Sequence, residues 1–324
     1  MIYITGDTHG GFNRIYSFCR KHATSRDDVL IILGDAGINY FGDIRDSINK
    51  QRLSELPITL FCIHGNHEIR PRNIDTYQID YFHGGIVHYE QEYPNILFAN
   101  DGQIYDLDGK KCLVIGGAYS VDKHYRIRMG MRWFEDEQPD ITTKRLVELQ
   151  VRRKQVDVIL SHTCPFKYIP TEVFLPGIDQ STVDNSTEHW LDFIEEICAY
   201  QHWYCGHYHT DKTVDNLRFV FEDIFEFSEA HQEPKQEDEP LCNMCGKPLD
   251  EYDLQEKFGF EHYIGYGSSH DLEHVKARFC CGCFDKMLDQ AVRVFKISPI
   301  LGEYSLAGEV PIYEVIDELA EEAG

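Results

Sequence analysis

Carboxylate, amide and imidazole side chains recur beside glycines at the ends of apolar runs in this sequence. The run at 1–5 leads into Gly-Asp-Thr-His-Gly, and the runs at 29–33 and 58–63 lead into Gly-Asp and Gly-Asn-His-Glu. Candidate metal-ligating or catalytic residues are Asp7, His9, Asp35, Asn66, His67, His162, His207 and His209. Nitrogen and oxygen ligands without thiolate suit Mn²⁺, Fe, Zn²⁺, Ni²⁺ or Co²⁺ alike. Because eight residues exceed the needs of one ion, the pattern predicts two divalent metal ions.

An alternation of strand-like and helix-like stretches predicts an α/β core that positions these residues. Strands are expected at 1–5, 29–33, 58–63, 112–115 and 156–160, followed by closing strands within 217–227. Helices are expected at 12–22, 43–53, 142–154 and 185–199, the last opened by a capping box from Asn185 to Glu188. In α/β folds, functional side chains collect at the carboxyl ends of the strands. The sequence therefore predicts one site at these strand ends.

The ordered motifs Gly-Asp-x-His-Gly, Gly-Asp, Gly-Asn-His-Glu, a single His and Gly-His-x-His resemble the calcineurin-like metallophosphoesterase family. The resemblance covers about residues 1–227 and implies a four-layer α/β/β/α sandwich with a two-metal site at the strand ends. It also implies roles: Asp7, His9 and His209 at one metal, Asn66, His162 and His207 at the other, Asp35 bridging both, and His67 as a non-ligand histidine facing the phosphate.

The activity implied by this resemblance is hydrolysis of a phosphate ester by a metal-bridging hydroxide. Two cations about 3.5–4 Å apart neutralise phosphoryl oxygens and lower the pKa of the water between them. His67 is expected to stabilise the phosphorus centre or to protonate the leaving oxygen, a contribution of about 10²–10⁴-fold. A bridging carboxylate at Asp35 offsets the repulsion between two like charges. Asp35 and His67 are therefore the expected catalytic residues.

Two motifs depart from the pattern of the phosphoprotein phosphatases in this superfamily. Those enzymes usually read Gly-Asp-x-x-Asp-Arg-Gly at the second motif, where this chain has Ile38 and Asn39 in place of Asp and Arg. They also tend to carry Arg before the third motif, where this chain has His64. Two phosphate-binding arginines are thus missing from their usual places, which weakens the phosphoprotein phosphatase interpretation.

A basic and aromatic segment after the 112–115 strand offers substitutes for those arginines. Arg126 or Arg128 is expected to bind phosphate, and Tyr125 or Trp133 to stack on a base. The alternative is an ordinary exposed loop.

Two cysteine knuckles near the C-terminus predict a structural zinc site. Cys242 and Cys245 form the first knuckle, and Cys280 and Cys283 form the second. The long spacing between them fits a zinc ribbon or a treble-clef-like module, in which His270 or His274 is an alternative ligand. A redox dithiol is the competing hypothesis, but it needs only one knuckle. The extra thiol of Cys281 is left without a role.

Composition and charge divide the chain into parts. The predicted organisation is a catalytic domain at 1–227, an acidic linker at 228–240, a zinc module at 241–295 and a tail at 296–324. Lys and Arg number 31 against 55 Asp and Glu, a net charge of −24. No apolar run reaches the length of about 18 residues that spans a membrane, so no membrane association is expected. The N-terminus lacks the features of a signal peptide, which predicts a cytoplasmic protein with reduced cysteines.

Three functions remain open from the sequence alone. The favoured hypothesis is a metal-dependent phosphohydrolase acting on a nucleotide-like or other small phosphoester. The alternatives are a nuclease or phosphodiesterase on nucleic acid, or a phosphoprotein phosphatase, while a non-catalytic adaptor explains the complete ligand set least well. Nucleic acid is disfavoured as a partner because duplex binding needs clustered Lys and Arg. A protein partner bound through the zinc module is a further hypothesis.

Overall fold

Two units make up the chain in the computed structural model, Met1–Glu233 and Pro234–Gly324. The structure describes residues 1–174, 180–227, 241–250, 252–253, 258–263 and 274–294. Within those ranges, no helix combines the length and apolar character that crossing a membrane requires.

Short strands alternate with helices along the first unit. Its strands are β1 (Ile2–Thr5), β2 (Val29–Ile32), β3 (Thr59–Cys62), β4 (Tyr77–Phe82), β5 (Gly85–Glu90), β6 (Ile96–Ala99), β7 (Ile104–Leu107), β8 (Lys110–Ile115), β9 (Val158–Ser161), β10 (His202–Cys205), β11 (Lys212–Val214), β12 (Leu217–Phe219) and β13 (Phe225–Glu226). Its α-helices are α1 (Asn13–His22), α2 (Ile44–Ser54), α3 (Lys123–Arg128), α4 (Ile141–Arg153) and α5 (Ser186–Ile197). Single 3-10 turns lie at Pro71–Asn73, Phe166–Tyr168, Thr171–Val173 and Gln180–Thr182.

These strands form two sheets with parallel centres. The first sheet has the order β13-β1-β2-β3-β6-β5-β4, and the second has the order β11-β12-β10-β9-β8-β7. Strands β1, β2, β3 and β6 run parallel, as do β8, β9, β10 and β12. Central parallel strands are covered on both faces, which explains why all four residues of β2 are apolar and buried. The carboxyl ends of the parallel strands in each sheet therefore meet at one edge.

Three buried clusters define four layers. One cluster lies between the two sheets and includes Ile31 and Phe61 from the first sheet and Leu160 from the second. A second cluster packs α1 and α2 against the outer face of the first sheet, and a third packs α4 and α5 against the second sheet. The predicted four-layer α/β/β/α sandwich is confirmed.

The second unit contains a hairpin and a helix beside four cysteines. Strands β14 (Gly259–Tyr263) and β15 (His274–Arg278) pair antiparallel, and helix α6 spans Cys281–Val294. Its core among the described residues is small and includes Cys242, Leu249, Phe279 and Cys283. Because the second knuckle runs into a helix, the arrangement favours the treble-clef-like form of the predicted zinc domain over the ribbon.

Some sequence expectations need correction. The stretch 217–227 forms β12 and β13, which belong to different sheets. The capping box is wrong: Asn185 makes no side-chain hydrogen bond at the start of α5, and the Ser186 N–H donates instead to Asp184 Oδ1 at 3.0 Å. Strands β4 to β7 are absent from the sequence-based expectations. In β4 the apolar Ile79 and Tyr81 are as exposed as their polar neighbours, so no buried face marks this strand, whereas the four residues of β6 are apolar and buried. The expected linker at 228–240 and tail at 296–324 lie outside the described residues.

Candidate active site

The predicted site residues follow the ends of parallel strands in both sheets. After β1 come Asp7 and His9, after β2 Asp35, after β3 Asn66 and His67, after β9 His162, and after β10 His207 and His209. All of them except Asp7 and His162 line one cleft of about 520 Å³. Asp7 and His162 lie beneath it, in ligand-atom groups with the others. The structure therefore brings together every residue that the motifs singled out.

One group of ligand atoms joins Asp7, His9 and His209. Their ligating atoms all lie within 4.8 Å of one another. The Nε2 atoms of His9 and His209 face each other at 2.9 Å. Asp7 Oδ2 is buried, 3.4 Å from His209 Nε2, and accepts no hydrogen bond from the described residues. A buried carboxylate oxygen without a donor is costly, so a cation at this point fits the site.

A second group joins Asp7, Asp35 and His162, whose ligating atoms also lie within 4.8 Å of one another, and the Asn66 amide lies beside it. His162 Nδ1 lies 2.8 Å from the carbonyl oxygen of Leu33, which can only accept, so Nδ1 carries the proton. The bare Nε2 atom then faces Asn66 Oδ1 at 2.8 Å, while the Asn66 amide nitrogen donates to Ser120 Oγ at 2.9 Å. Two acceptors that face each other across this distance are well suited to a shared cation.

Asp35 belongs to the second group and also lies close to His9 of the first. Its Oδ1 atom accepts the His67 backbone N–H at 2.7 Å. Its Oδ2 atom lies 4.0 Å from His9 Nδ1 and 3.6 Å from His162 Nε2, one histidine from each group. This position suits the bridging role that the family resemblance implies.

His207 lies at the side of both groups. Its ring packs edge-on against His162 with 5.0 Å between centroids, and its backbone N–H donates to Asp7 Oδ1 at 3.0 Å. Neither close group of ligand atoms found among the described residues includes His207. It lines the cleft beside them.

The charges of the site are set by burial and by close neighbours. Burial raises the pKa of Asp7, but the neighbouring imidazoles, His162 first, outweigh it and hold that pKa well below its usual value. Burial lowers the pKa of His67, although the negative charge of Asp35 acts to raise it. Burial and then Asp35 raise the pKa of Glu68 to about 8, so this carboxyl stays protonated at neutral pH.

Of the four residues expected to contact substrate, Arg126 lines the cleft, whereas Trp133 does not, and its indole N–H donates to Glu137 Oε2 at 2.8 Å. The Arg126 Nη2 atom lies 3.5 Å from His67 Nε2, and Asp122 and the Tyr40 hydroxyl hold the guanidinium at 2.7 and 3.1 Å. Arg128 and Tyr125 are not among the lining residues; the guanidinium of Arg128 lies 6.0 Å from the Tyr125 ring centroid.

Sequence reasoning missed several residues of the site. Ser120 orients the Asn66 amide, and Thr163 and Glu188 hydrogen-bond to each other beside His162. An apolar wall also lines the cleft, formed by Tyr119, Val121, Ile169, Val173, Phe174, Val183 and Tyr208. Ser120 lies in the segment already singled out after the 112–115 strand. Tyr119 and Val121 lie in the same segment, and Tyr208 stands within the Gly-His-x-His motif. For the others the sequence carries no signal.

The four cysteines of the second unit form a separate group. The sulfur atoms of Cys242, Cys245, Cys280 and Cys283 all lie within 4.8 Å of one another. Burial raises the pKa of Cys242, but backbone hydrogen bonds, from Cys280 first, lower it to about 6. Hydrogen bonding with Cys245 and burial raise the pKa of Cys283 to about 12. Four thiolates therefore need a cation to coexist, and Zn²⁺ suits four such ligands.

Cys281 and the alternative histidine ligands lie apart from this group or outside the described parts. The Cys281 sulfur lies 4.0 Å from Asp285 Oδ2 and is not a member of the cysteine group. His270 lies outside the described residues, and the side chain of His274 is not described.

Comparison with known proteins identifies the family. A model of the calcineurin-like phosphoesterases matches residues 1–211, whereas no curated protein matches the chain. Among solved structures, TT1561 of Thermus thermophilus has 12% sequence identity and a TM-score of 0.38, over 68% of this chain and 87% of that one. Phosphopantetheinyl hydrolase from Mycobacterium tuberculosis has 15% identity and a TM-score of 0.40, over 68% and 87%. Because the family match spans more than half of the chain and every strand-end motif, this chain belongs to the calcineurin-like phosphoesterases, which are metal-dependent hydrolases of phosphate esters.

Proposed function

We propose that the chain hydrolyses a small, nucleotide-like phosphoester in the cleft at the strand ends. The observation that carries the proposal is the composition of that cleft. His67, Asp35 and Arg126 line one part of it, and aromatic and aliphatic side chains such as Tyr119 and Tyr208 line another. A volume of about 520 Å³ is in the range of pockets that enclose a small molecule. The charged and polar side chains can thus bind phosphate, and the aromatic and aliphatic side chains can contact the leaving group.

Two divalent cations fit the ligand groups described above. Asp7, His9 and His209 would hold one, and Asn66 and His162 the other, with His207 as a further ligand from the side of the groups and Asp35 shared by both. When bound, such a pair neutralises phosphoryl oxygens and lowers the pKa of a water between the ions. Nitrogen and oxygen donors suit Mn²⁺, Fe, Zn²⁺, Ni²⁺ and Co²⁺, so the choice of metal is left to measurement.

His67 and Arg126 act on the phosphate from the protein side. Because burial lowers the pKa of His67, its ring is neutral before substrate binds. A phosphate bound between His67 and Arg126 adds negative charge and favours the protonated ring. His67 can then donate a proton to the leaving oxygen, and Arg126, fixed by Asp122, binds the phosphoryl oxygens.

The cleft gives little support to a nucleic-acid substrate. A nuclease needs several cations along the path of the strand. Among Arg126, Arg128, Arg132, Lys144 and Arg145, only Arg126 lines the cleft. Lys144 lies 5.4 Å from the ring of Trp190 instead.

A phosphoprotein phosphatase is disfavoured by the two replaced positions of the second motif. Ile38 and Asn39 are both fully buried, and the Asn39 amide donates to the Tyr77 hydroxyl at 2.9 Å. Neither side chain lines the cleft. These positions therefore contribute to packing, and no second arginine stands beside Arg126 among the residues that line the cleft.

The proposal is tested by turnover of three probes in the presence of each candidate metal. The probes are 4-nitrophenyl phosphate, bis(4-nitrophenyl) phosphate and a labelled oligonucleotide. We expect metal-dependent turnover of at least one small probe and a loss of about 10²-fold or more in His67→Ala. Asp35→Asn should lose more, because it weakens both metal sites.

Asp75→Asn is the matched control, since Asp75 is exposed and does not line the cleft. It should keep wild-type turnover. Turnover that needs no metal, or that survives Asp35→Asn, would refute the proposal, and cleavage of the oligonucleotide alone would support the nuclease instead.

A further inference from the structure

A buried carboxyl group lies in the wall of the cleft where the mechanism above does not use it. Glu188, in the first turn of α5, lines the cleft and is 3% exposed. Its Oε1 atom accepts the Thr163 hydroxyl at 2.8 Å. Its Oε2 atom is shielded from solvent and has no hydrogen-bond partner among the described residues. Buried carboxyl oxygens are rarely left without a partner, so Oε2 can take up a hydrogen-bond donor that a ligand brings into the cleft.

The surroundings of Glu188 connect it to the metal side of the cleft. Thr163 directly follows His162, and its hydroxyl also lies 3.4 Å from the hydroxyl of Tyr208. Tyr208 stands between His207 and His209 in the chain and lines the cleft. A ligand that reaches the metal groups and extends along Tyr208 would therefore approach Glu188.

The side chains around Glu188 indicate which kind of ligand the cleft can bind. Tyr119, Tyr208, Ile169 and Val183 offer flat and apolar contacts, and Glu188 is the carboxyl group among them. A flat ring that carries an N–H donor matches this combination. When the Glu188 carboxyl group is ionised, a ring that presents a carbonyl oxygen at the same point would place two acceptors against each other.

We propose that Glu188 is a specificity residue that accepts a hydrogen bond from an amino group on the leaving part of the substrate. The inference rests on the proposed function and deepens it. The substrate class would be a phosphoester of an amino-bearing nucleoside, with phosphate at the metals and the amino group at Glu188. Thr163 is the positioning residue that holds the carboxyl group in place.

The test compares matched nucleotides in wild type and Glu188→Gln at a pH above the pKa of about 7 to which burial raises Glu188, where its carboxyl group is ionised. Glutamine keeps an oxygen for Thr163 but can present an N–H where Oε2 stood. The probes are adenosine and cytidine monophosphates against inosine and uridine monophosphates, which carry a carbonyl in place of the amino group. We expect wild type to favour the amino-bearing pair by about 10- to 100-fold in kcat/KM, the range for a hydrogen bond to a charged group. In Glu188→Gln this ratio should fall to about one or invert, mainly through KM.

Two controls separate specificity from a structural effect. Turnover of 4-nitrophenyl phosphate, which lacks the amino group, should change much less in Glu188→Gln than the nucleotide ratio does. Glu196→Gln, an exposed position on the same helix, should leave the nucleotide ratio as in wild type. Thr163→Val, like Glu188→Gln, should lower the preference for the amino-bearing nucleotides.

The failure of this inference differs from the failure of the proposed function. If wild type hydrolyses 4-nitrophenyl phosphate but does not distinguish the two pairs of nucleotides, the role of Glu188 is refuted while the phosphohydrolase stands. An unchanged ratio in Glu188→Gln, or an equal loss with every probe, also refutes it. Absence of turnover with all probes and metals overturns the proposed function itself.

Discussion

Glycines make room for the carboxylates at the centre of the site. A Cβ atom on Gly65 would lie 1.9 Å from Asp35 Oδ1, and one on Gly206 would lie 2.2 Å from Asp7 Oδ1. Each glycine thus admits a carboxylate that follows a different strand. The Gly-Asn-His and Gly-His-x-His motifs are therefore packing requirements as well as ligand sets.

Replacing Gly65 should disrupt the metal site directly. In Gly65→Ala the added methyl group must displace Asp35, because its oxygen cannot remain at 1.9 Å. We expect metal affinity and turnover to fall by about 10–100-fold, as for other losses of ligand support. Metal titration followed by calorimetry would measure the affinity.

Gly84→Ala provides the comparison for this prediction. Gly84 has a φ of +84° and open space around it, so alanine there strains the backbone without a clash. Its stability should fall slightly while metal affinity stays at the wild-type value. Equal metal affinities in Gly65→Ala and wild type would contradict the packing explanation.

Several site residues could be predicted from sequence, but their backbone conformation could not. His9, Asp35, His207 and His209 have φ values of 46°, 44°, 68° and 49°. This left-handed region costs a non-glycine residue roughly 1–3 kcal/mol. The motifs identify the ligands because glycine and ligand are adjacent in sequence. The strain, by contrast, is imposed by tertiary contacts such as the His207 N–H bond to Asp7, which joins residues of different strand ends.

Glu188 should also make stability depend on pH. Burial raises its pKa to about 7 from the ordinary 4.5. The folded state therefore holds the proton more tightly than the unfolded state, so this contribution to stability is complete below pH 4.5 and is lost as pH rises through 7. The loss is about 3 kcal/mol at most, from the size of the shift.

The difference in unfolding free energy between wild type and Glu188→Gln isolates this contribution. The unfolding free energies of both proteins would be measured by urea denaturation of the metal-free forms from pH 4.5 to 8. The variant should gain stability relative to wild type as pH rises. Parallel stability curves for the two proteins would argue against a buried, proton-binding Glu188.

At the scale of elements, the turns that follow strands of both sheets carry most of the site residues, and one short helix carries Arg126. The parallel strands β1, β2 and β3 of the first sheet and β9 and β10 of the second are each followed by a turn that carries one or two of the proposed metal ligands. The apolar runs make these strands predictable. Helix α3, which carries Arg126, is not predictable in this way, because its six residues have no buried position and hence no apolar period. The hydrogen bond between Thr163 and Glu188 is equally unpredictable from the sequence. Thr163 follows β9 whereas Glu188 lies in α5, and the sequence suggests a capping role for Glu188.

At the same scale, the small core of the zinc module leads to a prediction about its cysteines. Its small core implies that metal binding supplies much of its folding free energy. Cys283→Ser should lose the bound zinc, and the fold of the second unit with it. Cys281→Ser should retain the zinc, because Cys281 lies outside the cysteine group. Elemental analysis together with amide hydrogen exchange of residues 241–294 would check both variants, and zinc retained at full occupancy in Cys283→Ser would contradict the four-cysteine site.

At the scale of the whole molecule, the net charge of −24 leaves phosphate binding to a few groups. Asp7 and Asp35 are among the acids, and cations bound in the cleft would offset their charge. Arg126 is the arginine that lines the cleft among the described residues. This distribution suits a compact phosphoester held by metals and one guanidinium better than a long polyanion, which needs a broad basic surface.

The most direct test of the two-metal site is anomalous diffraction from crystals of the intact chain grown with Mn²⁺ and Zn²⁺. The predicted result is two peaks in the cleft, one beside Asp7, His9 and His209 and the other beside Asn66, His162 and His207. Both should lie within ligand distance of Asp35, and a separate zinc peak should lie among the four cysteines. A single peak in the cleft, or two peaks that do not share Asp35, would contradict the two-metal site.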